Sequence, residues 1–324
     1  MDEGEASGRL DAMRMSIDAE LKTLIEEQSA IHGEVARRAG EILLAGGKRL
    51  RPLMGLLIFE LTGGVDIDEV LPLAIAFEMV HTATLVHDDI NDEAATRRGK
   101  PTIHQQVGTA KGIIAGDWLF VQGFGLGGRY GGKLVDIMND CCARIASAEY
   151  SQLDHVLDLS TSPEDYLDIV EGKTAGPFAA MCEGAALIAG STDEQATTLA
   201  RFGMELGIAF QLVDDILDII GDTRMGKPRG ADVHEGKMTL PLIHALTLLH
   251  GNERRRLGEI ISDFDDSLFD ELIRLLNRAD SISYTEILVN NHLERAANIL
   301  EKFPKSESKE LLRYLLNTVA NRHS

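Results

Sequence analysis

Two runs of carboxylates carry the chemistry that this sequence could perform. Between Ala76 and Arg98 the chain reads Leu-Val-His-Asp-Asp-Ile-Asn-Asp-Glu, which gathers Asp88, Asp89 and Asp92. On a helix Asp88 and Asp92 are i and i+4 neighbours, about 5–6 Å apart on one face, with Asp89 beside them. Left alone, such carboxylates repel. A hard cation between them removes the repulsion, because Mg²⁺ takes one or two carboxylates and fills its other octahedral positions with water and phosphate oxygens. Arg97 and Arg98 follow, with no acid except Glu93 in between. Carboxylate, metal and guanidinium together describe a diphosphate site.

A single acidic cluster at a helix end is ordinarily solvated surface. Here the pattern recurs. From Gly207 to Asp218 the chain reads Gly-Ile-Ala-Phe-Gln-Leu-Val-Asp-Asp-Ile-Leu-Asp, so Asp214, Asp215 and Asp218 repeat the spacing inside an apolar helix. Leu206, Phe210, Val213, Leu217 and Ile220 are the expected core-facing stripe of that helix. Carboxylates set in such surroundings are costly unless a charge or metal compensates them.

Cations stand near both clusters in the sequence. Gly46-Gly47-Lys48-Arg49-Leu50-Arg51-Pro52 joins two predicted helices, and its glycines would let Lys48 and Arg51 grip a phosphate from a preset loop. His81 lies one heptad before Asp88, on a similar helix face, and could supply another donor; a lone histidine there is more often a core residue. Lys173-Thr174 sits within a helix, flanked by Gly172 and Gly176, which imply close packing or a bend. A loop carrying Lys227 and Lys237 follows the second cluster and could close as a lid over an anion.

The elements that must hold these groups are helical. Apolar residues recur at helical spacing nearly throughout the 324 residues, and strand-like alternation is hard to find. Helices are expected at about 8–29, 32–46, 52–62, 68–92, 104–125, 131–158, 163–189, 193–221, 234–249, 254–276, 282–302 and 308–321. The first eight residues are expected to fray, and Pro177 to kink its helix. No Pro-, Gly- or Ser-rich linker divides the chain, so a single domain, 1–324, is the economical reading.

Composition excludes several functions. With 32 basic and 52 acidic residues the formal charge is −20, which disfavours general nucleic-acid binding. Cys141, Cys142 and Cys182 form neither an even disulfide set nor a zinc spacing, which points to a reducing, cytoplasmic setting. The N-terminus lacks the basic and apolar regions of a signal peptide. The most apolar stretches, near Leu71–Val86 and Gly112–Leu126, are interrupted by Glu78, His81 and Asp117, so any membrane contact is expected to be peripheral.

Taken together, these motifs resemble the trans-isoprenyl diphosphate synthases, or polyprenyl synthetases. The likeness runs from about Gly46 to Pro241 in the family's order: the Gly-Gly-Lys-Arg-Leu-Arg-Pro turn, the first aspartate motif ending in Arg97-Arg98-Gly99-Lys100, Gly116-Asp117, Lys173-Thr174, Phe210-Gln211 with the second aspartate motif, and Gly236-Lys237. Residues 242–324 carry no motif and read as packing helices. The resemblance implies the isoprenoid synthase fold, an antiparallel helical bundle around a central cavity with the aspartate motifs facing each other at its mouth, in a homodimer. It implies Asp88, Asp92 and Asp214 as ligands of about three Mg²⁺ ions on an allylic diphosphate, supported by Asp89, Asp215 and Asp218. By the same resemblance Arg97, Lys173, Thr174, Gln211, Lys227 and Lys237 complete the allylic site, and Lys48, Arg51, His81 and Arg98 hold isopentenyl diphosphate.

In this family a bulky aromatic residue four or five positions before the first aspartate stops chain growth early. Ala83 and Thr84 occupy those positions here, Val80 is modest, and Phe77 lies about 16 Å below Asp88 as a lower stop. A product longer than farnesyl diphosphate is expected, long-chain before geranylgeranyl, although facing helices could also plug the tunnel. The alternatives are a geranylgeranyl or farnesyl diphosphate synthase, a terpene cyclase, a non-catalytic subunit of a heteromeric synthase, and a His-Asp phosphohydrolase read from His87-Asp88 after His81. The cyclase and phosphohydrolase readings leave the basic turn unexplained, and non-catalytic subunits usually lose the aspartate motifs that are intact here.

Overall fold

The computed structural model describes residues 2–221 and 229–321. Among them the chain forms α1 (Glu3–His32), α2 (Glu34–Leu43), α3 (Leu50–Leu61), α4 (Leu71–Asn91), α5 (Ile103–Val107), α6 (Thr109–Gly127), α7 (Gly132–Asp154) and α8 (Pro163–Val170). It continues through α9 (Gly176–Ile188), α10 (Asp193–Ile220), α11 (Ala231–His234), α12 (Leu240–Leu248), α13 (Gly251–Ser262), α14 (Phe269–Arg278), α15 (Ser281–Leu300) and α16 (Glu307–Ala320). The all-helical expectation holds. Among the described residues no helix is long and apolar enough to cross a membrane.

Several boundaries differ from the expected ones, each for a local reason. Helix α1 begins at Glu3 rather than near residue 8, because Asp2 accepts the Glu5 amide at 2.8 Å while the Glu5 carboxylate takes the Asp2 amide. The helix expected at 254–276 is broken after Ser262, where the Asp265 side chain accepts the Ser267 amide and starts a short 3₁₀ turn. Two short strands, β1 (Thr96–Arg97) and β2 (Lys100–Pro101), pair antiparallel after the first acidic cluster. Arg98 and Gly99 form their two-residue loop, both with positive φ as a primed hairpin turn requires. The irregularity expected at Pro177 falls one turn earlier. Residues Glu171–Ala175 form a π turn in which the Gly176 amide reaches the Glu171 carbonyl.

The chain divides into two compact units. The first comprises Met1–Cys142, Ala180–Ala200 and Phe303–Tyr314. Within it α1 buries Leu10, Met13, Ile17, Leu21 and Ile25 at helical spacing, and α3 is enclosed on every side from Leu53 to Phe59. Helix α6 lies close along α4, since a Cβ on Gly116 would collide with the His87 ring. Arg49 ties the basic turn to this unit. Its backbone is left-handed (φ 50°), and its guanidinium donates to Asp18 at 2.8 Å, Glu78 at 2.6 Å and the Leu43 carbonyl at 2.6 Å.

The second unit comprises Ala143–Ala179, Arg201–Lys302 and Leu315–Ser324. Its buried apolar α10 positions are Phe202, Leu206, Ile208, Ala209, Leu212, Val213, Ile216 and Ile219. The expected stripe is therefore displaced: Phe210 and Leu217 are only half-buried and Ile220 is exposed, because the face they share carries the acidic cluster. Gly172 explains itself by close approach, since a Cβ there would stand 2.6 Å from that of Ala148 on α7.

Replacing Arg49 tests its structural role. Glu78 is 4% exposed and would keep a buried charge with that partner gone. Arg49→Met should lower the unfolding free energy by about 3–5 kcal/mol in urea denaturation, and a loss below about 1 kcal/mol would show the pair to be incidental.

Candidate active site

The first cluster stands at the end of α4. Asp92 is the C-cap residue and donates its amide to the Asp88 carbonyl at 2.8 Å, which keeps the two on successive turns of one face. Asp88 and Asp92 are half-buried, whereas Asp89 is 2% exposed and accepts from Arg97 Nε at 2.7 Å. Burial raises the Asp89 pKa and Arg97 opposes the shift. Arg97, expected only as a ligand of the substrate, also compensates a carboxylate of the cluster. His87 does not pair with Asp88 as a His-Asp phosphohydrolase would need. It engages α6, near the Ile113 carbonyl at 3.2 Å and stacked on Phe120.

The hairpin brings Arg98 to the basic turn. Its Nη2 lies 3.1 Å from where a Cβ on Gly47 would stand, so the guanidinium covers the turn that contains Lys48. His81 senses the same charges. Burial first, and then Arg51, Arg98, Arg97 and Arg49, push its pKa well below the usual value, so the imidazole is neutral at neutral pH and offers one N–H donor. Four guanidiniums thus stand near one imidazole, Arg49 and Arg97 among them with carboxylate partners. An anion would be attracted to this group of cations.

The second cluster is built differently. Asp215 is 1% exposed, with Oδ2 accepting from the Tyr166 hydroxyl at 2.5 Å and Oδ1 from Gln211 Nε2 at 2.9 Å. Gln211 in turn accepts from the Thr174 hydroxyl at 3.0 Å. The π turn carries both Lys173 and Thr174, and Lys173 Nζ reaches Gln152 at 2.8 Å and Glu149 at 2.7 Å on α7. Asp218 is half-buried and receives the Asp232 amide at 3.2 Å, while its carbonyl receives the Gly230 amide. This holds the segment that ends in Lys237, whose Nζ meets Glu235 at 2.6 Å. Lys227 lies outside the described residues.

A cavity of about 120 Å³ joins these groups, lined by Gln152, His155, Tyr166, Lys173, Thr174, Gln211, Asp215, Asp232 and Lys237. Sequence reasoning had placed Lys173, Thr174, Gln211, Asp215 and Lys237 in one site, and the cavity collects them. It missed Tyr166, Glu149, Gln152 and Asp232. The signal that could have found Tyr166 is the need of a buried Asp215 for a donor. Of the chain-length positions, Phe77, Val80 and Ala83 are buried and Thr84 is half-buried. Val80 is turned toward α6, with Cγ2 3.1 Å from where a Cβ on Gly123 would stand.

The donor set fits a hard divalent ion held jointly with a ligand. Among the described residues no three acidic, histidine or cysteine side chains converge tightly enough to hold an ion alone. Mg²⁺ needs no such cage, since one or two carboxylates with water and phosphate oxygens suffice, and Asp88 with Asp92 supply that pair.

Comparison with known proteins gives the family. The polyprenyl synthetase profile matches residues 34–276. The short chain isoprenyl diphosphate synthase of Methanothermobacter thermautotrophicus is 32% identical over 320 residues, spanning 97% of this chain and 98% of the relative. The all-trans-nonaprenyl-diphosphate synthase (geranyl-diphosphate specific) of Rhodobacter capsulatus is 36% identical over 280 residues, 84% of each chain. The polyprenyl synthase of Caulobacter crescentus, solved with calcium and isoprenyl diphosphate, matches at a TM-score of 0.90 with 34% identity over 98% of each chain. The chain belongs to the polyprenyl synthetase family. It is a trans-prenyl diphosphate synthase, a prenyltransferase. Relatives named for octaprenyl and geranylgeranyl products also match, so product length varies within this similarity.

The buried acid gives a pH signature. Burial first, then Asp232, raises the Asp215 pKa from 3.8 to about 8, against the hydrogen bonds from Tyr166 and Gln211. A raised carboxyl pKa means that the folded state holds a proton the unfolded chain releases. The stabilisation is complete below the unfolded value and is lost as pH climbs through the folded one. In metal-free buffer the melting temperature of Asp215→Asn should gain on that of the wild type between about pH 5 and pH 8. A difference independent of pH would contradict the shift.

Proposed function

We propose that the protein condenses isopentenyl diphosphate with an allylic diphosphate into an all-trans polyprenyl diphosphate longer than farnesyl, with a long-chain product preferred. The observation that carries this reading is that Arg51 of the basic turn and Arg98 of the hairpin stand near His81, on the helix that ends in Asp88 and Asp92. One anion site needs metal and the other needs only guanidinium and imidazole. That asymmetry suits two diphosphates, of which one must leave.

Asp88, Asp92 and Asp214 are the proposed ligands of about three Mg²⁺ ions, with Asp89, Asp215 and Asp218 in support. Bound Mg²⁺ would stabilise the diphosphate as negative charge develops on it. Arg97, Lys173, Lys227 and Lys237 hold that diphosphate, and Lys173 would do so from its contacts with Glu149 and Gln152. Lys48, Arg51, His81 and Arg98 hold isopentenyl diphosphate, the neutral His81 by its N–H. The allylic carbon–oxygen bond breaks with its electron pair on diphosphate. The isopentenyl double bond attacks the allylic carbon, and a proton passes to the released diphosphate. No side-chain nucleophile takes part. The carbonyl dipole of Gln211 and the hydroxyl of Thr174 favour positive charge on carbon without trapping it.

Product length rests on α4. Phe77, His81, Thr84 and Asp88 share a face at helical spacing, and with the small residues Ala83 and Thr84 just below the aspartates the first bulky aromatic hydrocarbon on it is Phe77. A homodimer through α6 is supported by Ile113, Ile114 and Val121, which are 44%, 57% and 66% exposed on that helix. The free thiols Cys141, Cys142 and Cys182 suit the reducing cytoplasm.

The test is product analysis. Purified protein with Mg²⁺, labelled isopentenyl diphosphate and dimethylallyl, geranyl or farnesyl diphosphate should give a ladder that ends beyond fifteen carbons. Ala83→Phe should shorten it. A ladder that stops at fifteen carbons, or one unmoved by the substitution, contradicts the length argument, and no product from any starter contradicts the reaction.

A further inference from the structure

Tyr166 has no part in the reaction as derived above, yet its hydroxyl is one of two donors to the most deeply buried acid of the second cluster. Its place is fixed before it meets Asp215. Helix α8 opens with Ser162 and Asp165 in a reciprocal capping box and with Pro163 in the first turn, so Tyr166 stands on a pinned turn. The phenol is 5% exposed, and its O–H donates to Asp215 Oδ2 at 2.5 Å. Gln211 occupies the other carboxylate oxygen and accepts from Thr174. The hydroxyl of Thr174, the amide of Gln211, the carboxylate of Asp215 and the phenol of Tyr166 thus form one chain of hydrogen bonds along the wall of the cavity.

Removing any link frees the next to rotate. Without the phenol, the Asp215 carboxyl would keep its enclosed position with one hydrogen-bond partner fewer, and would turn toward the groups that remain. Asp214 precedes it on α10 and Asp218 follows one turn later, so the set of the carboxylate bears on the acids that flank it.

We propose that Tyr166 is a positioning residue of the second aspartate cluster: its hydroxyl fixes Asp215, and through Gln211 and Thr174 the cavity wall, in the arrangement that takes a metal-bound diphosphate. This rests on the proposed function. The ring fills space and the hydroxyl orients the acid, so the two roles separate in a single substitution.

Tyr166→Phe keeps the ring and deletes the donor. In the full-length protein it should lower kcat about 10–100-fold, raise the Mg²⁺ concentration for half-maximal rate several-fold and leave KM for isopentenyl diphosphate within about twofold. A readout without turnover is the rise in melting temperature on adding Mg²⁺ with inorganic pyrophosphate, which should shrink by half or more, while the melting temperature without additions stays within about 2 °C. In an Asp215→Asn background the same substitution should add less than about a twofold effect, because its partner is already altered. Wild-type Mg²⁺ dependence and a wild-type pyrophosphate shift in Tyr166→Phe would overturn the proposal. So would loss of folding, which would assign the hydroxyl to the fold. Should the wild type make no product, the reaction assignment fails, and the pyrophosphate shift still decides the role of Tyr166.

Discussion

Ionisable groups enclosed by helices must find partners, and here each such need is met by a residue that also shapes the site. Asp89 takes Arg97, which anchors the hairpin beside the first cluster. Asp215 takes Tyr166 and Gln211, which draws α8 and the π turn into one wall with α10. Arg49 takes Asp18 and Glu78, which fixes the turn that bears Lys48 and Arg51. The energetic reason is common to all three: desolvation of a lone charge costs more than a surface ion pair could return, so the enclosed pairs constrain the backbone around them.

Helix α4 shows how such constraints become a reaction geometry. One side of it lies against α6, where Gly116 admits the His87 ring and Gly123 faces Val80. Phe77, His81, Thr84 and Asp88 recur at helical spacing on the adjoining side. Its last turn presents Asp88 and Asp92 because the chain leaves the helix at Asp92 and turns back through the hairpin. A single helix thereby carries the acids proposed to bind metal at its end, a neutral imidazole below them and the residues proposed to measure the product.

Much of this was legible in the sequence for physical reasons. Two Asp-Asp-x-x-Asp runs, one of them inside an apolar helix, are too costly to be accidental, and helical periodicity is strong in a chain with almost no strand. What escaped depended on contacts distant in sequence or on turn chemistry without a strong signature. Arg49 stands between Lys48 and Arg51 in the basic turn, and nothing local in the sequence marks that it points inward to Glu78. The Arg98-Gly99 hairpin lacks the usual Asn-Gly or Asp-Gly signal, and the break after Ser262 follows from one Asp265 side chain. Tyr166 lies 49 residues from Asp215, so nothing local to either marks their pairing.

The central claim is that both acidic clusters act on one allylic diphosphate. The most direct test is calorimetric binding of farnesyl thiodiphosphate, which resists ionisation, with and without Mg²⁺, to the wild type and to Asp88→Ala and Asp214→Ala. The account predicts that Mg²⁺ tightens binding to the wild type and that either substitution alone removes most of that gain. A variant that keeps the full Mg²⁺-dependent affinity would show that its cluster serves something other than this diphosphate.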